Sequence, residues 1–235
     1  MISFRHPCTI LIAGPTQSGK TFFFKQILAH NLIQPPATRI LYVNTGEIPP
    51  ELQEFPQIEY IKGLEKLLEC YENLDPLERN LVVIDDQMAE AGNSTTIGNL
   101  FSKGSHHKNI TVIYIVQNLF DKGRVHRTIS LNSHYVILFK NARDKGQIRT
   151  LAQQVFPNKV KFIVEAFEEA TKEPYGYLML DCHPQTPEEL RVRGNIFKGD
   201  DIEIYLPAAG PLASSQSSDT EVAFSINNLG YIKGV

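Results

Sequence analysis

Cysteine is scarce in this 235-residue chain: Cys8, Cys70 and Cys182 are odd in number and widely spaced. They supply neither a disulfide framework nor a paired metal-ligand spacing, so a reducing compartment and three small core side chains are expected. Long apolar runs are also missing. No stretch approaches the ~18 to 20 residues that a membrane-spanning helix needs, so no membrane partner is expected. The first residues are partly apolar but lack a basic leader and a cleavage site, which argues against a secretory signal. With 42% hydrophobic and 21% charged residues, neither wholesale disorder nor a fibrous architecture fits. The length suits one large domain, since a chain of roughly 200 residues should bury about 70% of its unfolded surface.

Charge of one sign is nearly balanced overall, at a net −3, but not along the chain. Residues 91–161 hold 11 Lys and Arg against two acids, Asp121 and Asp144, a balance of +9 that leaves −12 for the remainder. Four of the seven histidines also fall in this stretch. It reads either as a surface that meets an anion or as a solvated basic face.

Short β-branched runs alternate with helix-like segments. Residues 9–13 predict a buried strand, followed by a helix over 21–32 with Phe22, Phe23, Ile27 and Leu28 at helical spacing. Further strands are expected at 39–44, 81–84, 110–116, 134–139 and 176–182, and helices at 64–74, 144–155 and 160–170. Continuous apolar strands separated by helices predict an α/β fold, with a mainly parallel central sheet covered by helices on both faces. One folded domain is expected to span 1–205. The Pro-, Ala- and Ser-rich stretch over 206–235 predicts a flexible C-terminal tail.

The chemistry concentrates in Gly14-Pro15-Thr16-Gln17-Ser18-Gly19-Lys20-Thr21, which matches G-x-x-x-x-G-K-[ST] in full. It also lies between a predicted strand and a predicted helix, the context this motif needs. Glycines let backbone N–H groups close around phosphates at the positive end of the helix. Lys20 can bridge the β and γ phosphates, and the Thr21 hydroxyl can ligate Mg²⁺. The strand over 81–84 runs into Asp85 and Asp86, the first suited to the metal and the second to the attacking water. The strand over 110–116 ends at Gln117-Asn118, where an amide can sense the γ-phosphate.

These features, together with His106-His107-Lys108-Asn109-Ile110, Gln117-Asn118-Leu119-Phe120 and Asn132-Ser133-His134, resemble the FtsK-HerA superfamily. Within it, the sequence is most similar to viral genome-packaging ATPases such as those of Polinton/Maverick elements, adintoviruses and, more remotely, poxviruses. The resemblance covers roughly residues 9–148, and its most discriminating part is the His-His-Lys-Asn block with the following Gln. It implies a RecA-like P-loop NTPase that takes ATP and Mg²⁺, assembles as a homo-oligomeric ring, and threads double-stranded DNA. It also implies capsid proteins as further partners, and residence in the host nucleus or cytoplasm or in the virion. On this pattern Lys20, Asp86 and Gln117 are catalytic, and Thr21 and Asp85 hold the metal. Asp86 stands where many members carry Glu. The phosphate loop starts so early that capsid attachment is expected through the core, the 184–196 segment or the tail.

Family members complete the site with an arginine from the neighbouring subunit. Arg127 is the first candidate here, Arg124 the second and Arg143 an outlying third. A surface or DNA-phosphate role for Arg127 is the alternative. The loop carrying Lys103, His106, His107 and Lys108 is short and basic, which suits sequence-independent contact with DNA phosphates. Zinc binding by the adjacent histidines is a poor alternative, since no Cys or third His is near. Two other functions compete. A P-loop nucleotide kinase or GTPase is one, although Asn158-Lys159-Val160-Lys161 lacks the Asp of a guanine element. A subunit that uses nucleotide only to assemble is the other.

Overall fold

The structure, a computed structural model, describes residues 2–85, 95–101, 108–120, 124–143, 146–197, 202–207, 224–226 and 232–234. Nine strands form one sheet in the order β11-β10-β9-β8-β2-β7-β6-β4-β5. They are β2 (Thr9–Ala13), β4 (Arg39–Asn44), β5 (Ile58–Lys62), β6 (Asn80–Asp85), β7 (Ile110–Val116), β8 (Tyr135–Phe139), β9 (Tyr177–Asp181), β10 (Val192–Gly194) and β11 (Glu203–Ile204). The six from β8 to β5 are parallel, and β9, β10 and β11 extend the β8 side antiparallel. Two small pairs lie apart: β1 (Phe4–Arg5) with β3 (Ile33–Gln34), and β12 (Phe224–Ile226) with β13 (Ile232–Gly234). The second pair falls within the segment read as a tail.

The central strands are apolar throughout because both sheet faces are covered. Alternate residues supply separate cores: Leu11, Val43, Val82, Val112 and Val136 face one, while Ile10, Tyr42, Val83, Ile113 and Ile137 face the other. The first core is closed by α2 (Leu64–Glu72), α3 (Thr95–Asn99), α4 (Arg124–Leu131), α5 (Gly146–Val155) and α6 (Val160–Ala170). On the second face lies α1 (Lys20–Ala29), which buries Phe23, Phe24 and Ile27. Each such burial contributes about 1.5–3 kcal/mol. No helix among the described residues is long and apolar enough to cross a membrane.

Three features differ from the sequence expectation. The buried face of α1 is turned, so Phe22 is 54% exposed while Phe24 is in the core. Three consecutive phenylalanines satisfy helical spacing in more than one way, and only the sheet selects which pair goes inward. Strand β5 is an edge strand in which only Ile58 and Ile61 are buried, so it lacks the continuous apolar run by which its neighbours are recognised. Helix α4 is not among the expected helices, because its sequence, RVHRTISL, carries few apolar residues. Of the three cysteines expected in the core, Cys8 is buried there while Cys70 and Cys182 are only partly buried against it; burial pushes the Cys8 and Cys182 thiols up to about 12, so both stay neutral.

The order of connection positions the site. From β2 the chain crosses by α1 toward β4, and from β7 it returns by α4 to β8 on the other side of β2. The two crossovers use opposite faces, so the C-terminal end of β2 opens a crevice where the strand order reverses.

Candidate functional site

The phosphate loop fills that crevice. Its first residue continues the ladder, with the Gly14 N–H donating to the Val116 carbonyl at 3.1 Å. A Cβ on Gly14 would lie 2.6 Å from the Phe139 Cβ and 2.7 Å from the Ser18 Oγ, so no larger residue fits there. Gly19 has a φ of +103°, a left-handed conformation that glycine adopts without steric cost. The loop therefore needs its two glycines for different reasons, one for space and one for backbone angle.

Lys20 folds back over this loop. Its ammonium donates to the Gly14 carbonyl at 2.7 Å and the Pro15 carbonyl at 2.9 Å. Gly19 caps α1 without a side-chain hydrogen bond, and the first turn holds no acidic residue. The N–H groups of that turn and the positive end of the helix are thus directed into the loop. The Ser18 Oγ is buried without a hydrogen-bond partner inside the same cradle. A buried, unpaired hydroxyl beside a lysine and a helix N-terminus fits an oxyanion such as a phosphate.

Asp85 ends β6 and Gln117 follows β7. Because β7 pairs with both β2 and β6, Gln117 emerges between the phosphate loop and Asp85. Two strand spacings, about 10 Å, separate the ends of β2 and β6. The buried Tyr42 hydroxyl donates to the Asp85 Oδ2, holding the carboxylate at the strand end. Burial, with the Asp85 charge next, raises the Tyr42 hydroxyl well above the ordinary tyrosine range, so it remains a donor. Behind Gln117 the chain is tied down by α5: Gln147 Oε1 accepts the Leu119 N–H at 2.9 Å, and Gln147 Nε2 reaches Asn118 Oδ1 at 3.4 Å. Asn118 thus serves the turn.

Gly14 through Thr21, Asp85 and Gln117 therefore share one edge of the sheet. Asp86, Lys103, His106 and His107 lie outside the described residues. The backbone of Arg127 belongs to α4, one helical turn after Arg124. Arg143 is exposed beyond the C-terminal end of β8, beside the phosphate-loop strand. Lys108 stands at the opposite edge, before β7, where its ammonium donates to the Tyr71 carbonyl at 2.6 Å and the Glu72 carbonyl at 3.3 Å. It also lies 4.3 Å from the centre of the Tyr71 ring. A cation on the last carbonyls of α2 satisfies acceptors the helix leaves open and matches its negative end.

The sequence reading missed Tyr42 and a set of aromatics around the loop. A cavity of about 560 Å³ adjoins Gly19, Lys20 and Thr21 and is walled by Phe22, Phe139, Tyr175 and Phe197. The run Phe22-Phe23-Phe24 was the one available signal, since a three-residue aromatic run cannot turn wholly inward on one helix.

No protein-family model matches this sequence, and neither does any curated protein. The structure is similar to B204, the DNA-packaging ATPase from Sulfolobus turreted icosahedral virus, with a TM-score of 0.56 at 14% identity over 88% of this chain and 100% of that one. It is similarly related to the genome packaging NTPase B204 from Sulfolobus turreted icosahedral virus 2 in complex with ATP-gammaS, with a TM-score of 0.55 at 13% identity over 80% of this chain and 97% of that one. The sulfate complex of the same NTPase gives 0.56 at 13% identity, over 86% and 97%. The fold is that of the P-loop ATPases, a RecA-like α/β sheet.

Proposed function

We propose that this chain is an ATP-hydrolysing motor of the FtsK-HerA type that translocates double-stranded DNA, packaging a viral genome into a capsid. The observation that carries the reading is the insertion of β7 between the phosphate-loop strand and the Asp85 strand, which sets Gln117 between them. The likeness to B204, together with the His-His-Lys-Asn block, supports DNA as the cargo.

Each residue has a task. Lys20 exchanges its two carbonyl acceptors for phosphate oxygens, and the first turn of α1 and Ser18 complete the cradle. Thr21 and Asp85 offer one hydroxyl and one carboxylate, a donor set that fits Mg²⁺, which usually keeps several waters and takes few protein ligands. Bound there, the ion would neutralise charge on the phosphates. Asp86 accepts the proton of the attacking water, Gln117 orients that water, and Arg127 reaches in from the neighbouring subunit of a homo-oligomeric ring. The products are ADP and phosphate. Lys103, His106 and His107 contact the DNA backbone, while Lys108 anchors the end of their loop on α2. Capsid proteins complete the machinery, inside the host cell or on the virion.

The decisive measurement is ATP hydrolysis with and without double-stranded DNA. Stimulation by DNA is expected. Unstimulated turnover with phosphate delivered to a small acceptor would overturn the motor reading.

Two further outcomes test the parts. Tyr42→Phe should keep the fold and raise the Mg²⁺ concentration needed for half-maximal hydrolysis by about 10- to 100-fold, the usual effect of losing a hydrogen bond behind a metal ligand. An unchanged Mg²⁺ titration would show that the Tyr42 hydroxyl does not support a metal site at Asp85. DNA affinity should fall with salt at a logarithmic slope of about 0.9 per phosphate neutralised. Lys103→Ala should lower that slope by about one contact, whereas Lys108→Ala should lower stability through α2. A flat salt response would exclude a phosphate-reading loop.

A further inference from the structure

The cavity beside the phosphate loop is built mostly from aromatic rings. Its floor is the buried cluster of Phe23, Phe139 and Tyr177, whose rings meet edge to face or tilted at centroid distances of 4.7 to 6.0 Å. Phe197 packs on the same cluster at 4.9 Å from Phe23. Such a floor is rigid. The Tyr177 hydroxyl accepts the Ile196 N–H at 2.9 Å, fixing that ring from the far side.

Tyr175 at the rim is different in kind. The residue is 73% exposed, although it stands next to a well-packed aromatic floor. Its backbone has a φ of +62°, a conformation that costs a bulky residue about 1–3 kcal/mol and that glycine would adopt freely. The next residue, Gly176, holds the turn in place, because a Cβ there would lie 2.4 Å from the Ala170 carbonyl oxygen. The turn also presents Tyr175 to the phosphate loop, with its Cδ1 3.4 Å from where a Gly19 Cβ would be. A large apolar ring kept exposed on a strained backbone, beside a helix N-terminus, is not explained by folding energy.

We infer that Tyr175 is a stacking platform for the nucleobase of the bound nucleotide, and that the cavity favours purines and admits guanine as well as adenine. This inference rests on the phosphate loop holding a nucleoside triphosphate. The chemistry follows from the walls. Gln17, Gly19, Lys20 and Thr21 line both the loop and the cavity, so a group extending from a phosphate in the loop enters between the rings. About 560 Å³ accommodates a nucleoside, being well within the range of about 300–1,000 Å³ usual for small-molecule sites. Stacking favours the larger π-face of a purine, yet every base has such a face. Among the described residues of the walls, the acidic or amide side chain away from the loop is Glu51. A carboxylate accepts one hydrogen bond from the adenine amino group and two, side by side, from the N1–H and amino group of guanine, so Glu51 does not exclude guanine.

The test is direct binding of ATP, GTP, CTP and inorganic tripolyphosphate, each with Mg²⁺, to the full chain and to Tyr175→Ala and Tyr175→Phe. Tyr175→Ala is expected to weaken ATP and GTP by about tenfold, the usual loss of one aromatic stacking partner. Tyr175→Phe should bind as the wild type does, and tripolyphosphate should bind all three proteins alike. GTP should compete within a few-fold of ATP, and CTP should bind more weakly than either. Tripolyphosphate binding the wild type as tightly as ATP would overturn the base site and leave the phosphate site standing. An equal loss of tripolyphosphate in Tyr175→Ala would make the residue a support of the loop and overturn stacking. Failure of the wild type to bind either ATP or tripolyphosphate would overturn both readings.

Discussion

Lys20→Ala should reduce nucleotide hydrolysis by about 10²- to 10³-fold, as expected when one donor aimed at developing charge is removed. The reason lies in where its ammonium already sits. It spans the loop between the Gly14 and Pro15 carbonyls, held in the mouth of the cradle before any phosphate arrives. Little reorganisation is then needed when phosphate oxygens replace the carbonyls, so the charge acts where hydrolysis develops it. The same contacts close the loop, so alanine should also loosen it. Parallel thermal melting with and without nucleotide separates these effects: the ligand-induced rise in Tm should shrink while the unliganded Tm shifts little. Full hydrolysis by Lys20→Ala would remove the phosphate loop from the chemistry.

Arg127→Ala should have an effect at least as large, about 10³- to 10⁵-fold in turnover, the range for an arginine that stabilises the transferring phosphoryl group. Nucleotide binding should persist, since the loop and Asp85 belong to the same subunit. Mixing decides whether the residue acts across an interface. Lys20→Ala subunits retain Arg127, and Arg127→Ala subunits retain the phosphate loop. Co-assembled, the two inactive variants should regain part of the activity at interfaces where intact halves meet. Recovery would be absent if Arg127 served its own subunit. Arg124→Ala, one turn earlier on α4, is the natural control, and Arg143→Ala tests the exposed residue beyond β8.

Much of the fold was legible because its signals are local. Runs such as Ile110 to Val116 are buried on both faces, so each announces a strand without reference to its partners. The phosphate loop was legible for the same reason, since glycine, lysine and threonine act through their own backbone and the helix they open. The arrangement of phenylalanines on α1 was not, because helical spacing leaves two faces open and the sheet chooses between them. Edge strand β5 was missed because only Ile58 and Ile61 of it are buried, and helix α4 because its short sequence, RVHRTISL, holds few apolar residues.

Lys108 shows a further limit. Charge and spacing place it in a basic loop, but its environment is set by α2, 36 residues away in sequence from Glu72, whose carbonyl it caps. Tyr42 and Tyr175 show the converse. Neither belongs to a motif, yet one holds Asp85 and the other borders Gly19.

The sequence by itself determined the strand-loop-helix setting of Gly14 to Thr21, the acidic end of β6 and the alternation of strands with helices. Each depends on residues within one turn or one strand, where steric and hydrogen-bonding rules act at short range. The tertiary structure decided which strand lies between which, and therefore that Gln117 stands between the loop and Asp85. It also decided that an aromatic cavity adjoins the loop and that Lys108 is engaged at the far edge. Strand order and side-chain exposure arise from packing among residues tens to more than a hundred positions apart, and no local pattern carries that information.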